Sequence, residues 1–83
     1  MRAEEHIENL NRYIKEYPAS LSFDKVDLTT LQNDPQVLGE AISFIINLFC
    51  KIGVNADLAP TMDGILLDSC LEFLTELREE YNS

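Results

Sequence analysis

Apolar side chains recur at helical spacing along most of this chain. Ala3, Ile7, Leu10, Ile14 and Tyr17 follow one another at steps of four, three, four and three. That spacing predicts a helix over about 3–17, with one apolar stripe and the charges elsewhere. Glu4 and Glu5 stand in its first turn and Lys15 in its last, as the helix dipole favours. Pro18 is the expected stop, because the residue before a proline resists the α conformation. Next come Phe23, Val26, Leu28 and Leu31. No strand pattern there lasts long enough to pair, and a short helical piece near 24–32 is expected.

The strongest pattern covers 35–52. Asp34-Pro35 joins an N-cap residue to a proline at the first helical position, and Gly53 is the expected left-handed terminator. The polar residues Gln36, Glu40, Ser43, Asn47 and Lys51 fall within an arc of about 80° at ~100° per residue. Every other position is apolar or glycine, Phe44 and Phe49 among them. A face so broad exceeds what a helix on the outside of a small bundle carries. This segment is either a central spine or is partly buried against a second chain.

Residues 53–61 read as a turn-rich connection. A last helix over 62–81 puts Ile65, Leu66, Cys70, Phe73, Leu74, Leu77 and Tyr81 on its apolar side, widened by Leu67 and Leu71. Gly64 weakens its first turn by up to ~1 kcal/mol relative to alanine, so the helix is free to begin later. The tail 81–83 is expected to fray. The predicted fold is all-α: one domain over 1–83, a small bundle of three long helices with a short piece between the first two.

Length and charge narrow the functions. A chain of 83 residues has little apolar surface to spare for a deep cavity, so a large enclosed active site is not expected. Fifteen acidic residues against six basic ones give a net charge of −9. Such a surface repels phosphate backbones and anionic lipid headgroups, which excludes direct nucleic-acid and membrane contact as expectations. No segment reaches the ~18 uninterrupted apolar residues of a membrane span. The start Met1-Arg2-Ala3-Glu4-Glu5-His6 lacks the apolar stretch of a signal peptide. Cys50 and Cys70 lie in apolar helical patterns and read as core thiols of a reducing compartment. Cytoplasm is the expected location.

Catalytic signals are few. His6, the sole histidine, stands among glutamates with no cysteine or histidine at metal spacing, and reads as a solvated surface residue. No phosphate-cradling glycine loop, catalytic carboxylate pair or nucleophile elbow occurs. No catalytic residue, cofactor, metal or small-molecule substrate is therefore expected, and the chain does not read as an enzyme. The run Leu67-Asp68-Ser69-Cys70-Leu71-Glu72-Phe73-Leu74 resembles the Asp-Ser-Leu start of the second helix in acyl and peptidyl carrier proteins. There the serine carries phosphopantetheine and the acidic helix docks basic enzymes. The resemblance spans about fifteen residues, has cysteine where the leucine belongs, and leaves no room after it for two further helical segments. It does not extend to the family, and Ser69 is not assigned as an attachment site. Asp63-Gly64-Ile65 echoes a calcium loop, but places Ala59 and Cys70 where oxygen ligands belong.

Asp68, Glu72, Glu76 and either Glu79 or Glu80 follow at helical spacing and form a line of carboxylates. Such a line is either a solvated face or a stripe that steers a basic partner. The functional expectation is a small acidic protein-binding module: a regulator, inhibitor or immunity-type protein that occupies a target's surface, with nucleic-acid mimicry as a variant. Its expected contacts are Phe44, Phe49 and Phe73 as apolar anchors, with Asp68, Glu72, Glu76, Glu79 and Glu80 as steering charges. The alternative is a structural homodimer joined through the apolar face of 35–52.

Overall fold

Capping side chains decide where the later helices begin, whereas the first starts without one. The computed structural model describes residues 2–17 and 19–81. Four helices follow one another, α1 (Ala3–Glu16), α2 (Leu28–Asn33), α3 (Pro35–Ile52) and α4 (Met62–Tyr81). The described residues contain no strand, and the predicted all-α bundle of three long helices and one short one is the fold observed. Pro18, the expected stop of the first helix, lies outside the described residues, as do Asn82 and Ser83 of the tail. Tyr17 leaves the helix at φ −126°, ψ 78°, donating its N–H to the Tyr13 carbonyl.

The buried stripe of α1 is turned from the one expected. His6, Leu10, Tyr13 and Ile14 face inward, whereas Tyr17 is exposed. Tyr13 explains the turn. Its ring is buried and its hydroxyl donates to Asp63 Oδ1 at 2.8 Å, so it replaces Tyr17 as the aromatic anchor against α4. Burial, then the Asp63 bond, pushes the Tyr13 phenol up to about 12.

The short helix begins at Leu28 rather than near residue 24. Residues 19–27 are held instead by two side-chain clamps. Asn11 Nδ2 donates to the Val26 carbonyl (2.8 Å) while Asn11 Oδ1 accepts the Val26 N–H (2.9 Å), mimicking a strand partner. Glu40 accepts both the Ser22 N–H (3.1 Å) and the Ser22 hydroxyl (2.6 Å). These bonds meet the backbone's demand for partners without a helix, and Val26 plugs the core. Asp27 then caps α2, its carboxylate accepting the Thr30 N–H at 2.7 Å, which holds its own pKa below the ordinary value. Asp34 serves two helices. Its N–H ends α2 on the Thr30 carbonyl, and its carboxylate accepts from Gln36 and Val37 to start α3 behind Pro35.

α3 buries Leu38, Ala41, Ile42, Phe44, Ile45 and Leu48 and packs on α4 and α2, while α1 packs mainly on α4, so α3 is not a spine wrapped by all the others. By length and composition alone it matches a bilayer span, yet it carries a row of five polar residues and packs against α2 and α4. Its end is a close approach rather than a left-handed cap: Gly53 sits at φ −77°, ψ −16°. A Cβ on Gly64 would run into the Gly53 carbonyl. Thr61 fastens the same junction, its hydroxyl donating to the Ile52 carbonyl (2.7 Å) and accepting the Gly64 N–H (2.9 Å). Gly64 therefore does not delay α4, which starts at Met62. At its far end Tyr81 is more exposed than its place in the predicted stripe implies, and its hydroxyl ties back to the Leu31 carbonyl at 2.9 Å.

Candidate functional site

α4 presents a continuous outer face. Met62, Ile65, Ser69, Glu72 and Glu76 follow at i, i+3, i+7, i+10 and i+14, which lines them along one side of the helix. Asp68, Glu72, Glu76, Glu79 and Glu80 are all exposed, as the carboxylate line required. Asp68, Glu72, Glu76 and Glu79 have no ion-pair partner among the described residues. Asp68 to Glu79 extends about 16 Å at 1.5 Å per residue.

The head of this face is apolar. Met62 is 77% exposed and Ile65 53%, although the sequence pattern put Ile65 in the core stripe. Leu58, in the loop just before, is 81% exposed and stands at φ 64°, a left-handed conformation that costs a branched side chain of this kind energy. Asn55 holds that loop in shape: its side-chain Oδ1 accepts the N–H groups of Asp57 (2.9 Å) and Ala59 (3.1 Å), while Val54 and Pro60 form a short antiparallel bridge.

The three expected phenylalanine anchors fare differently. Phe44 is 6% exposed and belongs to the core. Phe49 and Phe73 are half-buried. Phe73 stacks on His6 with ring centroids 4.9 Å apart and planes 12° from parallel. His6 is accordingly not a solvated residue: it is 8% exposed, and its buried Nδ1 has no hydrogen-bond partner. Beside it, burial pushes the Cys70 thiol up to about 12 while its Sγ donates to the His6 carbonyl at 3.7 Å. Cys50, expected in the core, is exposed at the edge of α3's apolar arc, next to Ile46 at 45% exposure.

Two open grooves flank this architecture. One, of about 320 Å³, lies where α1 meets α4 and is lined by His6, Ser69, Glu72, Phe73 and Glu76. The other, of about 610 Å³, runs between residues 16–21 and α3; Tyr17, Leu21, Phe44 and Leu48 supply its apolar part, with Glu40 and Lys51 among its polar residues. Sequence reasoning missed this second groove because its wall comes from the polar row of α3, which reads as a solvent face. No cluster of three or more metal-ligating side chains occurs among the described residues. Ser69 lies well inside α4, not at a helix start as in a carrier protein. No protein-family model, curated protein or solved structure matches this chain.

Proposed function

We propose that this protein is a protein-binding module that occupies a basic surface of a target, in a regulatory, inhibitory or immunity-type role. The observation that carries the reading is the outer face of α4, where exposed Leu58, Met62 and Ile65 lead into a row of carboxylates of which Asp68, Glu72, Glu76 and Glu79 have no ion-pair partner among the described residues. Apolar groups excluded from water at the centre of an interface give affinity, and charges beside them give approach rate and register. Leu58, Met62 and Ile65 fill the first role in place of Phe44, and Asp68, Glu72, Glu76 and Glu79 the second. A target whose basic surface normally holds nucleic acid fits the same face. Both thiols are free, one of them exposed, which accords with a reducing compartment such as the cytoplasm.

The geometry favours a heterologous partner over a homodimer through α3. A stable interface covers ~800 Å² on each side, and α3 leaves Pro35, Ile46 and Cys50 as its exposed apolar side chains, with Pro35 at the far end of the helix from the other two. Three scattered side chains fall far short of that area. The test is capture from host cells with the wild-type chain and with Glu72→Lys/Glu76→Lys as baits. The proteins held by the wild type should be lost by the variant and should elute more readily as salt rises. Equal capture at every salt concentration would remove the acidic face from the account.

A further inference from the structure

The groove between α1 and α4 has a chemistry of its own within the acidic face. Its polar lining is rich in acceptors: the carboxylates of Glu72 and Glu76, one turn apart on the same side of α4, and the Ser69 hydroxyl. Neither carboxylate has a cationic partner among the described residues. Its wall is the stacked pair His6 and Phe73. His6 is more than nine-tenths buried, and its Nδ1 is left without a partner, an exception to the rule that buried polar atoms are hydrogen-bonded. Two exposed carboxylates one turn apart, lining the same groove as an aromatic pair, favour an occupant that is cationic, flat and supplied with several donors.

We propose that this groove receives an arginine side chain of the protein partner, its guanidinium lying against Phe73 and bridging Glu72 and Glu76. Guanidinium matches each part of the lining. It is planar and stacks on aromatic faces, it presents five N–H donors in a fixed fork, and it is less strongly hydrated than ammonium. Lysine offers a compact, strongly hydrated charge that gains little from the aromatic wall. A groove of about 320 Å³ is at the lower end of the range for ligand sites, ample for one side chain and too small for a folded element. This assignment rests on the basic-partner reading and makes it specific, because one site on the stripe then selects arginine while the other carboxylates accept either cation.

The test is an NMR titration of the full chain with two blocked tripeptides, acetyl-Gly-Arg-Gly-amide and acetyl-Gly-Lys-Gly-amide, at low salt. Saturable shifts are expected at the His6 and Phe73 ring resonances and the Glu72 and Glu76 amides, with the arginine peptide binding at least several-fold more tightly. Glu76→Gln alters an exposed residue, so the fold stays intact, and it should weaken the arginine peptide several-fold while bringing the two peptides closer together. Phe73→Leu, checked for folding by circular dichroism, should abolish the preference for arginine. Equal binding of both peptides, spread from Asp68 to Glu79 without ring shifts, would overturn the arginine site and leave the acidic docking face standing. No response to either peptide anywhere on α4 would overturn both.

Discussion

Alanine at Gly64 sets two physical effects against each other. Helix propensity alone favours the substitution by up to ~1 kcal/mol, since glycine in a helix loses more backbone freedom on folding. Packing opposes it: the new Cβ would run into the Gly53 carbonyl, a backbone atom that cannot rotate away and that also accepts the Thr61 N–H at 2.9 Å. Overpacking typically costs about 1–3 kcal/mol. Displacing the carbonyl also weakens a hydrogen bond with a net contribution of about 0.5–1.5 kcal/mol. The net expectation is a loss of about 1–3 kcal/mol. For a domain this small that corresponds to a fall in Tm of roughly 5–15 °C. Gly39→Ala is the matched control. A Cβ there meets nothing within 4 Å, so the propensity gain acts alone and Tm should rise. Urea and thermal unfolding followed by circular dichroism measure both variants. A Gly64→Ala protein as stable as the wild type, or more so, would refute the packing of α4 on the end of α3.

Three further outcomes are expected. Asn11→Ala leaves the N–H and carbonyl of Val26 without their partners in a largely buried setting, at a cost of about 2–4 kcal/mol by urea denaturation, and amide exchange at Val26 should accelerate. Under native conditions Cys50 should react with a thiol reagent at once and Cys70 only on unfolding, which mass spectrometry of the labelled peptides resolves. The folded-state pKa values of Tyr13 and Cys70, both about 12, lie above their ordinary values of 10 and 9, so the folded chain holds protons that the unfolded chain releases. That stability is fully present below about pH 9 and is lost as pH rises toward about 12. A stability profile flat across this range would show that neither group is shielded.

Periodicity and capping made the helices legible. Asp34-Pro35 carries its own signal for the start of α3, and the apolar recurrence over about 62–81 marks α4, though its first turn was left open at Gly64. What stayed hidden depends on partners distant in the chain. Asn11 lies outside the apolar stripe that the spacing gives α1, yet it replaces a helix at 24–27 by pairing with Val26 across fifteen positions. Gly53 carries a standard terminator signature, but its use is a contact with Gly64 that no local pattern encodes. His6 looked solvated because its neighbours are glutamates; Phe73, far along the chain, gives it a stacking surface. The acidic line was readable as a line. Its apolar head was not, because Ile65 matches the core periodicity of α4 and Leu58 belongs to no helix.

The acidic face of α4 is tested most directly by where a captured partner touches this chain. Amide and methyl chemical-shift mapping of the complex should show its largest perturbations at Leu58, Met62, Ile65, Asp68, Glu72 and Glu76. Perturbations confined to Ile46 and Cys50, or to the groove beside Tyr17 and Phe44, would contradict it.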